Sequence, residues 1–349
     1  MKKWVSLFGF VVLAVMVLLL YGFTLYHAWL VKRVGTFVLF MLCVGLVKGI
    51  VVEGRQLWLS DEKDDLFSVQ SVKVFSAVFL GAVIAFLLKV DLGMGAVVGA
   101  GLTSLMAALV VPGLAVPAYC GAFVGMTSAR LFSAYSDLCL AAAIAGAVYL
   151  LTQRSFQGYG GKLGTIAFCG TFVTGFGLKR EFLLTPFPAL DLIAPILLCA
   201  VFATAFTFYL SVTLDHGAVM ASGGTALIGG LILPKLFPGE VGDTLAVMAT
   251  CASFAGMSSP KRITNWWAVL AMGLFSGMIY ILSMPLAGGA GGKLGTISFG
   301  VAVSVSAWHA VIRKRSKRCL LYTSPSPRDI HHNLVFRLLL EKRGGGGGG

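Results

Sequence analysis

The sequence predicts an all-α polytopic membrane protein with about ten transmembrane helices, built from two tandem repeats. Hydrophobic residues make up 58% of the chain and charged residues 12%, whereas soluble domains carry about 25% charged residues. Apolar runs of about 18 or more residues recur along the chain, which is the length a membrane-spanning helix needs. These two observations predict the class, and an internal duplication predicts the architecture.

The duplication is clearest in the heptapeptide Gly-Gly-Lys-Leu-Gly-Thr-Ile, which occurs at 160–166 and again at 291–297. The offset is 291 − 160 = 131 residues, and from 117 to 168 no gap is needed to align the copies. Within these 52 positions 18 are identical, including the pairs Cys120 and Cys251, Phe123 and Phe254, and Tyr149 and Tyr280. The second half is therefore predicted to repeat the first.

The N-terminal part, 1–58, is predicted to be a two-helix addition without a counterpart in the repeats. Its first apolar run, 4–31, is longer than the 7–15 apolar residues of a signal peptide, so we expect a retained span. A second span is expected over 35–52. The polar stretch 59–71, which contains Asp61-Glu62-Lys63-Asp64-Asp65, is predicted to be a solvated loop and a domain boundary.

Repeat A is assigned to 72–180 and repeat B to 181–312. In repeat A, full spans are expected over 72–90, 93–111, 133–151 and 163–178. Between the second and third of these, Pro112-Gly113 and Pro117 break the helix. The following segment, 118–128, is too short to cross about 30 Å of hydrocarbon at 1.5 Å per residue.

Repeat B follows the same plan, with spans over 192–213, 217–233, 265–282 and 294–312 and the short segment at 244–258. Re-entry of the short segment gives four full spans per repeat and parallel repeats. Crossing by the short segment gives five spans per repeat and inverted repeats. The brevity of the segment in repeat A favours re-entry, and both arrangements stay open at this point.

The basic stretch 313–318 is predicted to be a cytoplasmic end, because Lys and Arg are retained on that side of a membrane. The following segment, 319–349, is predicted to be non-native: Cys319 to Asp329 resembles a translated sequencing-library adaptor, and 344–349 is a glycine run. We exclude 319–349 from reasoning about the fold.

The formal net charge of +13 fits a membrane protein with basic cytoplasmic segments and no nucleic-acid partner, since no basic stretch is interleaved with aromatic residues. The cysteines show no spacing typical of a zinc site or a disulfide framework. No nucleophile elbow or paired-carboxylate motif occurs, so we expect no enzyme activity, no metal and no cofactor.

The sharpest candidate site is the glycine-lysine turn, with Gly161, Lys162 and Thr165 in repeat A. Its counterpart in repeat B is Gly292, Lys293 and Thr296. Glycine permits a left-handed backbone, and amides at a helix start, a lysine and a hydroxyl suit an anion or a carbonyl oxygen. The alternative is a helix-entry turn whose lysine reaches the lipid headgroups.

The short segments supply a second set of candidate pathway residues, because broken helices are tolerated in a membrane only inside protein or beside a cavity. These residues are Gly125, Met126, Thr127 and Ser128 in repeat A and Gly256, Met257, Ser258 and Ser259 in repeat B. Close helix packing by small residues is the alternative. Asp137 is the most internal carboxylate and a candidate for a coupling-ion or substrate role.

We therefore expect an integral membrane transporter or channel for a small polar or anionic solute, with its pathway between two homologous repeats. The expected location is a bacterial-type inner membrane, with lipid and the solute as partners, and homo-oligomerisation is compatible with the sequence. The alternative is a non-transporting membrane component, either an assembly factor or a lipid-handling protein.

Overall fold

The structure, a computed structural model, describes residues 2–31, 33, 35–59 and 68–323. These residues form twelve α-helices and no β-strand. This composition confirms the predicted all-α class. The helices are α1 Lys2–Leu30, α2 Thr36–Leu59, α3 Val69–Val90, α4 Ala96–Val110, α5 Ala115–Gly125, α6 Tyr135–Leu151, α7 Lys162–Gly177, α8 Leu190–Phe208, α9 Ala218–Leu236, α10 Glu240–Gly256, α11 Trp266–Ser283 and α12 Lys293–Thr323. A 3₁₀ turn at Pro112–Leu114 precedes α5, and a π-helical turn at Tyr209–Thr213 extends α8.

Seven helical segments among the described residues are long and apolar enough to cross a membrane. They are Trp4–Leu30, Thr36–Leu59, Val69–Val90, Leu190–Thr213, Ala218–Leu236, Trp266–Ser283 and Lys293–Arg313. Shorter apolar helices occupy Ala96–Val110, Pro112–Gly125 and Tyr135–Leu151. These features are those of a membrane-embedded protein, while the count of about ten crossing helices stays a prediction.

Small residues bring the helices of each half into backbone contact. On α5, a methyl group added to Gly125 would lie 2.6 Å from the carbonyl oxygen of Ala82 on α3. On α10, a methyl group added to Gly256 would lie 2.6 Å from the carbonyl oxygen of Thr204 on α8. Close approach of this kind is how helices associate in lipid, where dispersion replaces the hydrophobic driving force.

The first two helices pack against α12. The Tyr21 hydroxyl on α1 donates a hydrogen bond of 2.6 Å to the carbonyl oxygen of Ile297, and the Ser304 hydroxyl donates one of 2.8 Å to the carbonyl oxygen of Leu42 on α2. Both hydroxyls are buried and both find an acceptor, as buried polar groups require.

The chain divides into two compact units, residues 1–307 and 308–349, and the site described below lies in the first. Helix α12 continues to Thr323, past the predicted start of the non-native segment at 319. Of that segment, 324–349 lies outside the described residues, as does 60–67 of the predicted polar loop. The boundaries predicted at 58, 71 and 180 stay predictions.

Candidate functional site

A first cavity of about 570 Å³ opens where α3 and α5 begin and α6 ends. Its floor is the glycine-lysine turn that leads into α7. Its lining residues include Gln70, Val116, Pro117, Phe123, Tyr149, Thr152, Gln153, Gln157, Gly158, Tyr159, Gly160, Gly161, Lys162, Leu163, Phe254 and Met257.

A second cavity of about 330 Å³ has the other glycine-lysine turn, which leads into α12, as its floor. Its lining residues include Lys89, Phe123, Met126, Ser128, Thr185, Val247, Phe254, Tyr280, Met284, Gly288, Gly289, Ala290, Gly291, Gly292, Lys293 and Leu294. Several positions in the two linings correspond at the offset of 131, among them Tyr149 with Tyr280 and Met126 with Met257.

The two cavities lie toward opposite ends of α3. Gln70 in the first turn of this helix lines the first cavity, and Lys89 in its last turn lines the second. A helix of 22 residues is about 33 Å long at 1.5 Å per residue, which is close to the thickness of the hydrocarbon core. If α3 crosses a membrane, the cavities face opposite sides of it.

A pair of phenylalanine side chains separates the cavities, because Phe123 and Phe254 line both of them. Their ring centroids are 4.5 Å apart and their planes are inclined by 55°. The ring of Tyr119 packs 4.2 Å from that of Phe123, and all three side chains are buried. These three side chains form a buried aromatic layer between the two cavities.

The short helices α5 and α10 pass this aromatic layer in opposite directions. In α5, Val116 lines the first cavity, while Met126, which follows the helix, lines the second. In α10, Val247 lines the second cavity, while Met257, which follows the helix, lines the first. Each helix thus leads from one cavity to the other.

The two glycine-lysine turns meet between the cavities. Gly161 and Gly292 both have a left-handed backbone, with φ of 80° and 83°, which favours glycine at these positions. A methyl group added to Gly164 would lie 2.5 Å from the Cα of Gly295, and one added to Gly295 would lie 2.6 Å from the Cα of Gly164. The first turns of α7 and α12 therefore touch backbone to backbone.

Matched hydrogen bonds join each turn to the short helix of the other half. The Gly160 amide donates to the Ser258 hydroxyl at 3.1 Å, and the Gly291 amide donates to the Thr127 hydroxyl at 3.2 Å. These bonds satisfy buried backbone amides that lie just before the two helices. Thr127 and Ser258 were predicted from the sequence as pathway residues; their hydroxyls bind the turns, neither residue lines a cavity, and the pathway role stays a prediction.

A second matched pair of hydrogen bonds fixes the loops before the turns. The Ser128 amide donates to the carbonyl oxygen of Gly289 at 2.8 Å, and the Ser259 amide donates to that of Gly158 at 2.9 Å. Of these two predicted pathway residues, Ser128 lines the second cavity, whereas Ser259 does not line the first.

The lysines of the two turns make equivalent contacts. The Lys162 ammonium donates to the carbonyl oxygens of Thr152 and Gln153 at 2.6 and 3.3 Å. The Lys293 ammonium donates to those of Ser283 and Met284 at 2.7 and 3.4 Å. These carbonyls end α6 and α11, so each lysine caps the negative end of the preceding helix.

Other predicted site residues lie behind the cavities. The hydroxyls of Thr165 and Thr296 are buried and donate to the carbonyl oxygens of Gly161 and Gly292. Gly125 and Gly256 pack against neighbouring helices, as described above. These four residues support the cavity walls and do not line them.

Asp137 is placed apart from both linings. It lies in the first turn of α6, where a carboxylate is favoured by the helix dipole. Its Oδ2 accepts a hydrogen bond of 2.8 Å from Arg180, which forms an ion pair. The burial of this carboxylate is thus explained by a structural contact, and the predicted coupling-ion role stays untested.

Four aromatic residues that line a cavity were not predicted from the sequence as site residues: Phe123, Phe254, Tyr149 and Tyr280. The signal was present in the repeat alignment, because both phenylalanines and both tyrosines are identical at the offset of 131. Large aromatic residues that recur at matched positions in both halves are the pattern that would have identified them.

No group of His, Cys, Asp and Glu side chains suited to a metal ion occurs among the described residues. Comparisons of the chain with protein-family models, with curated proteins and with solved structures find no match.

Proposed function

We propose that this protein is a membrane transporter or channel for a small polar or anionic solute, which moves between the first and the second cavity. The observation that carries the proposal is that two cavities at opposite ends of α3 share one closing layer, Phe123 and Phe254. A binding protein needs one cavity, whereas a route across a membrane needs an opening toward each side.

We further propose that the pathway lies between two inverted repeats. Helix α7 begins in the first cavity and α12 begins in the second, and their first turns cross at Gly164 and Gly295. Gly161 approaches Phe299 while Gly292 approaches Phe168, so the two helices run antiparallel where they touch. These contacts support the inverted arrangement over the parallel one, and inverted repeats with a site between them are a common plan of transporters.

Sided labelling of single cysteines tests this arrangement. Gln153→Cys and Met284→Cys introduce thiols at equivalent positions of the two halves, one in each cavity. In sealed vesicles of known orientation, a membrane-impermeant maleimide is expected to label one variant only from outside and the other only after it is admitted to the lumen. Labelling of both from the same side contradicts inverted repeats and opposed cavities.

The Cys319→Ser variant is a suitable background for this experiment, because each of the other six cysteines is buried or half-buried. Leu109→Cys on α4 is the matched control, since this exposed side chain lines neither cavity. If the control is labelled as fast as the cavity positions, accessibility at those positions does not report on the cavities.

Flux measurements test transport itself. Replacing Phe123 and Phe254 together by alanine removes the closing layer, so solute flux through proteoliposomes is expected to rise above that of the unmodified protein. Each truncation leaves a hole in the core that costs about 3–5 kcal/mol, so folding must be verified by size-exclusion chromatography. Folded protein that moves no solute in either form contradicts the proposal.

One observation favours the alternative of a lipid-handling membrane protein. An apolar groove of about 460 Å³ lies between α3 and α4, lined by side chains such as Leu80, Ile84 and Met106, with Lys73 at its rim. Co-purified phospholipid that is displaced by Leu80→Trp, combined with an absence of flux, would support this alternative over transport.

A further inference from the structure

Among the described residues, the charged side chains that line the two cavities are all positive. They are Lys162 in the first cavity and Lys89 and Lys293 in the second. No Asp or Glu of the described part of the chain lines either cavity. Lys293 is 8% exposed, so water alone does not solvate its charge.

Each lysine is neutralised only in part. Lys162 and Lys293 contact helix-ending carbonyls, and the end of a helix is equivalent to about half a negative charge. Lys89 donates to the carbonyl oxygen of Thr127, just beyond the end of α5, and makes the same kind of contact. A carboxylate would neutralise a whole charge, and none of these three ammonium groups forms an ion pair among the described residues.

The positive charge is also held in place. The Lys162 and Lys293 ammonium groups each donate to two backbone oxygens of a rigid helix end. The turns that carry them are fixed by the amides of Gly160 and Gly291. A cation or a neutral solute gains nothing from such a fixed positive field, whereas an anion in a partly desolvated cavity does.

From these contacts we infer that the transported solute is a small anion, bound in turn by Lys162 in the first cavity and by Lys293 and Lys89 in the second. The inference rests on the proposed function and names its substrate class. The second cavity has a volume of about 330 Å³, which leaves room for a small solute. An inorganic oxyanion or a short carboxylate fits this volume together with part of its hydration shell.

Liposome flux with a set of small probes separates this inference from the proposed function. Sulfate, phosphate, nitrate and acetate are the anions, choline is the cation and erythritol is the neutral solute, all in vesicles of neutral phosphatidylcholine. We expect flux of at least one anion and none of choline or erythritol. Flux of choline or erythritol without anion flux overturns the inference and leaves transport intact, and a folded protein that moves no probe contradicts transport.

Lysine variants test the residues. Lys162→Gln and Lys293→Gln are each expected to lower anion flux at least about tenfold, a factor that the loss of one charged contact readily supplies. Lys162→Arg and Lys293→Arg retain the charge and are expected to recover part of the flux. Lys235→Gln is the control, because this exposed lysine at the end of α9 lines neither cavity. Unchanged anion flux in both glutamine variants overturns the assignment.

The glutamine variants also remove a helix cap, so a readout of binding is needed for variants that fold poorly. Sulfate added at constant ionic strength is expected to raise the melting temperature of the detergent-solubilised unmodified protein, because a ligand stabilises the state that binds it. Lys89→Gln, which alters a half-buried lysine, is expected to weaken this effect. No stabilisation by any of the four anions overturns the inference.

A lipid phosphate is the other source of a bound anion. Repeating the flux and melting measurements with phosphatidylglycerol distinguishes the two sources. If the lysines bind a lipid headgroup, phosphatidylglycerol is expected to raise the melting temperature of the unmodified protein more than that of the glutamine variants. Free anions are then expected neither to raise the melting temperature nor to be transported. That result overturns the inference of an anionic solute.

Discussion

The two cavities are built from the same structural features but differ in several of the side chains that line them. Both have a glycine-lysine turn as floor, a tyrosine in the wall and the same aromatic layer between them. Gln153 and Gln157 in the first cavity are replaced at the equivalent positions of the second by Met284 and Gly288, and Lys89 adds a charge to the second cavity alone. Backbone contacts fix the arrangement that the two cavities share, and the side chains that differ between the two linings give each cavity its own chemistry.

The walls of the cavities are also held by different contacts. At the first cavity, Arg262 forms two hydrogen bonds of 2.5 and 2.9 Å with Glu53 of α2 and one of 3.0 Å with the carbonyl oxygen of Gln157. At the second, the Leu183 amide donates to the carbonyl oxygen of Gly288 at 2.9 Å. An ion pair between side chains thus stabilises the wall of the first cavity, and a backbone hydrogen bond stabilises that of the second.

The largest loss of stability is expected at the contact between the two glycine-lysine turns, where the two halves should be equivalent. Gly164→Ala and Gly295→Ala each place a methyl group within 2.6 Å of a backbone carbon, so each is expected to destabilise the protein by about 1–3 kcal/mol or more. Thermal unfolding in detergent measures both.

Gly224→Ala on α9 is the control for these variants, because a methyl group there meets nothing within 4 Å. It should stabilise the helix by up to about 1 kcal/mol. If one glycine of the crossing tolerates alanine as well as Gly224 does, the two halves are not equivalent there.

An effect confined to the first cavity is expected from Arg262→Ala. This change leaves Glu53, which is 6% exposed, without its charged partner, at a cost of about 1–3 kcal/mol or more. Maleimide labelling of Gln153→Cys is expected to become faster, while labelling of Met284→Cys stays the same.

The double variant Glu53→Gln with Arg262→Ala removes the stranded charge and is expected to be more stable than Arg262→Ala alone. Equal loss of stability in the single and double variants would show that the ion pair is not the contact that braces this cavity. Equally faster labelling in both cavities would show that the ion pair does not act on the first cavity alone.

Lys89→Gln is expected to act only on the second cavity. At about 6 Å and an effective dielectric constant between about 20 and 80, one charge contributes about 1–3 kcal/mol to anion binding. Sulfate affinity measured in sealed vesicles is therefore expected to fall from the side of the second cavity and to stay constant from the other. A loss of the same size from both sides would mean that Lys89 acts through folding.

Asp137→Asn is expected to have the smallest effect. Its partner Arg180 is 40% exposed, and ion pairs open to solvent contribute up to about 1 kcal/mol. The thermal midpoint should fall slightly and anion flux should not change. If flux loses its dependence on an ion gradient while stability is retained, Asp137 has the coupling role predicted from the sequence.

Composition was sufficient to predict the all-α class, because long apolar runs without charges have few structural solutions in lipid. The glycine-lysine turns were predicted as a site because of their repetition, and both lysines do line a cavity. The partners of the lysines were not predicted. The sequence indicates helix ends near 151 and 282, but not that the carbonyl oxygens of Thr152 and Ser283 lie close enough to accept from a lysine ten residues later.

The short segments show a second limit of sequence reasoning. Their length suggested re-entry, since 11 residues reach only about 16 Å along a helix. The structure adds that cavities enter from both ends, so that a short helix such as α5 extends from one to the other. The length of a segment predicts how far its helix reaches, whereas the distance between the two cavities at that point depends on the whole fold.

The contact between Gly164 and Gly295 has a consequence for motion. Two backbones that touch without a side chain between them have no freedom to approach further, and the hydrogen bonds of Gly160 and Gly291 on either side oppose their separation. If the protein moves a solute as proposed, we expect one half to tilt against the other about this junction, so that one cavity widens as the other narrows.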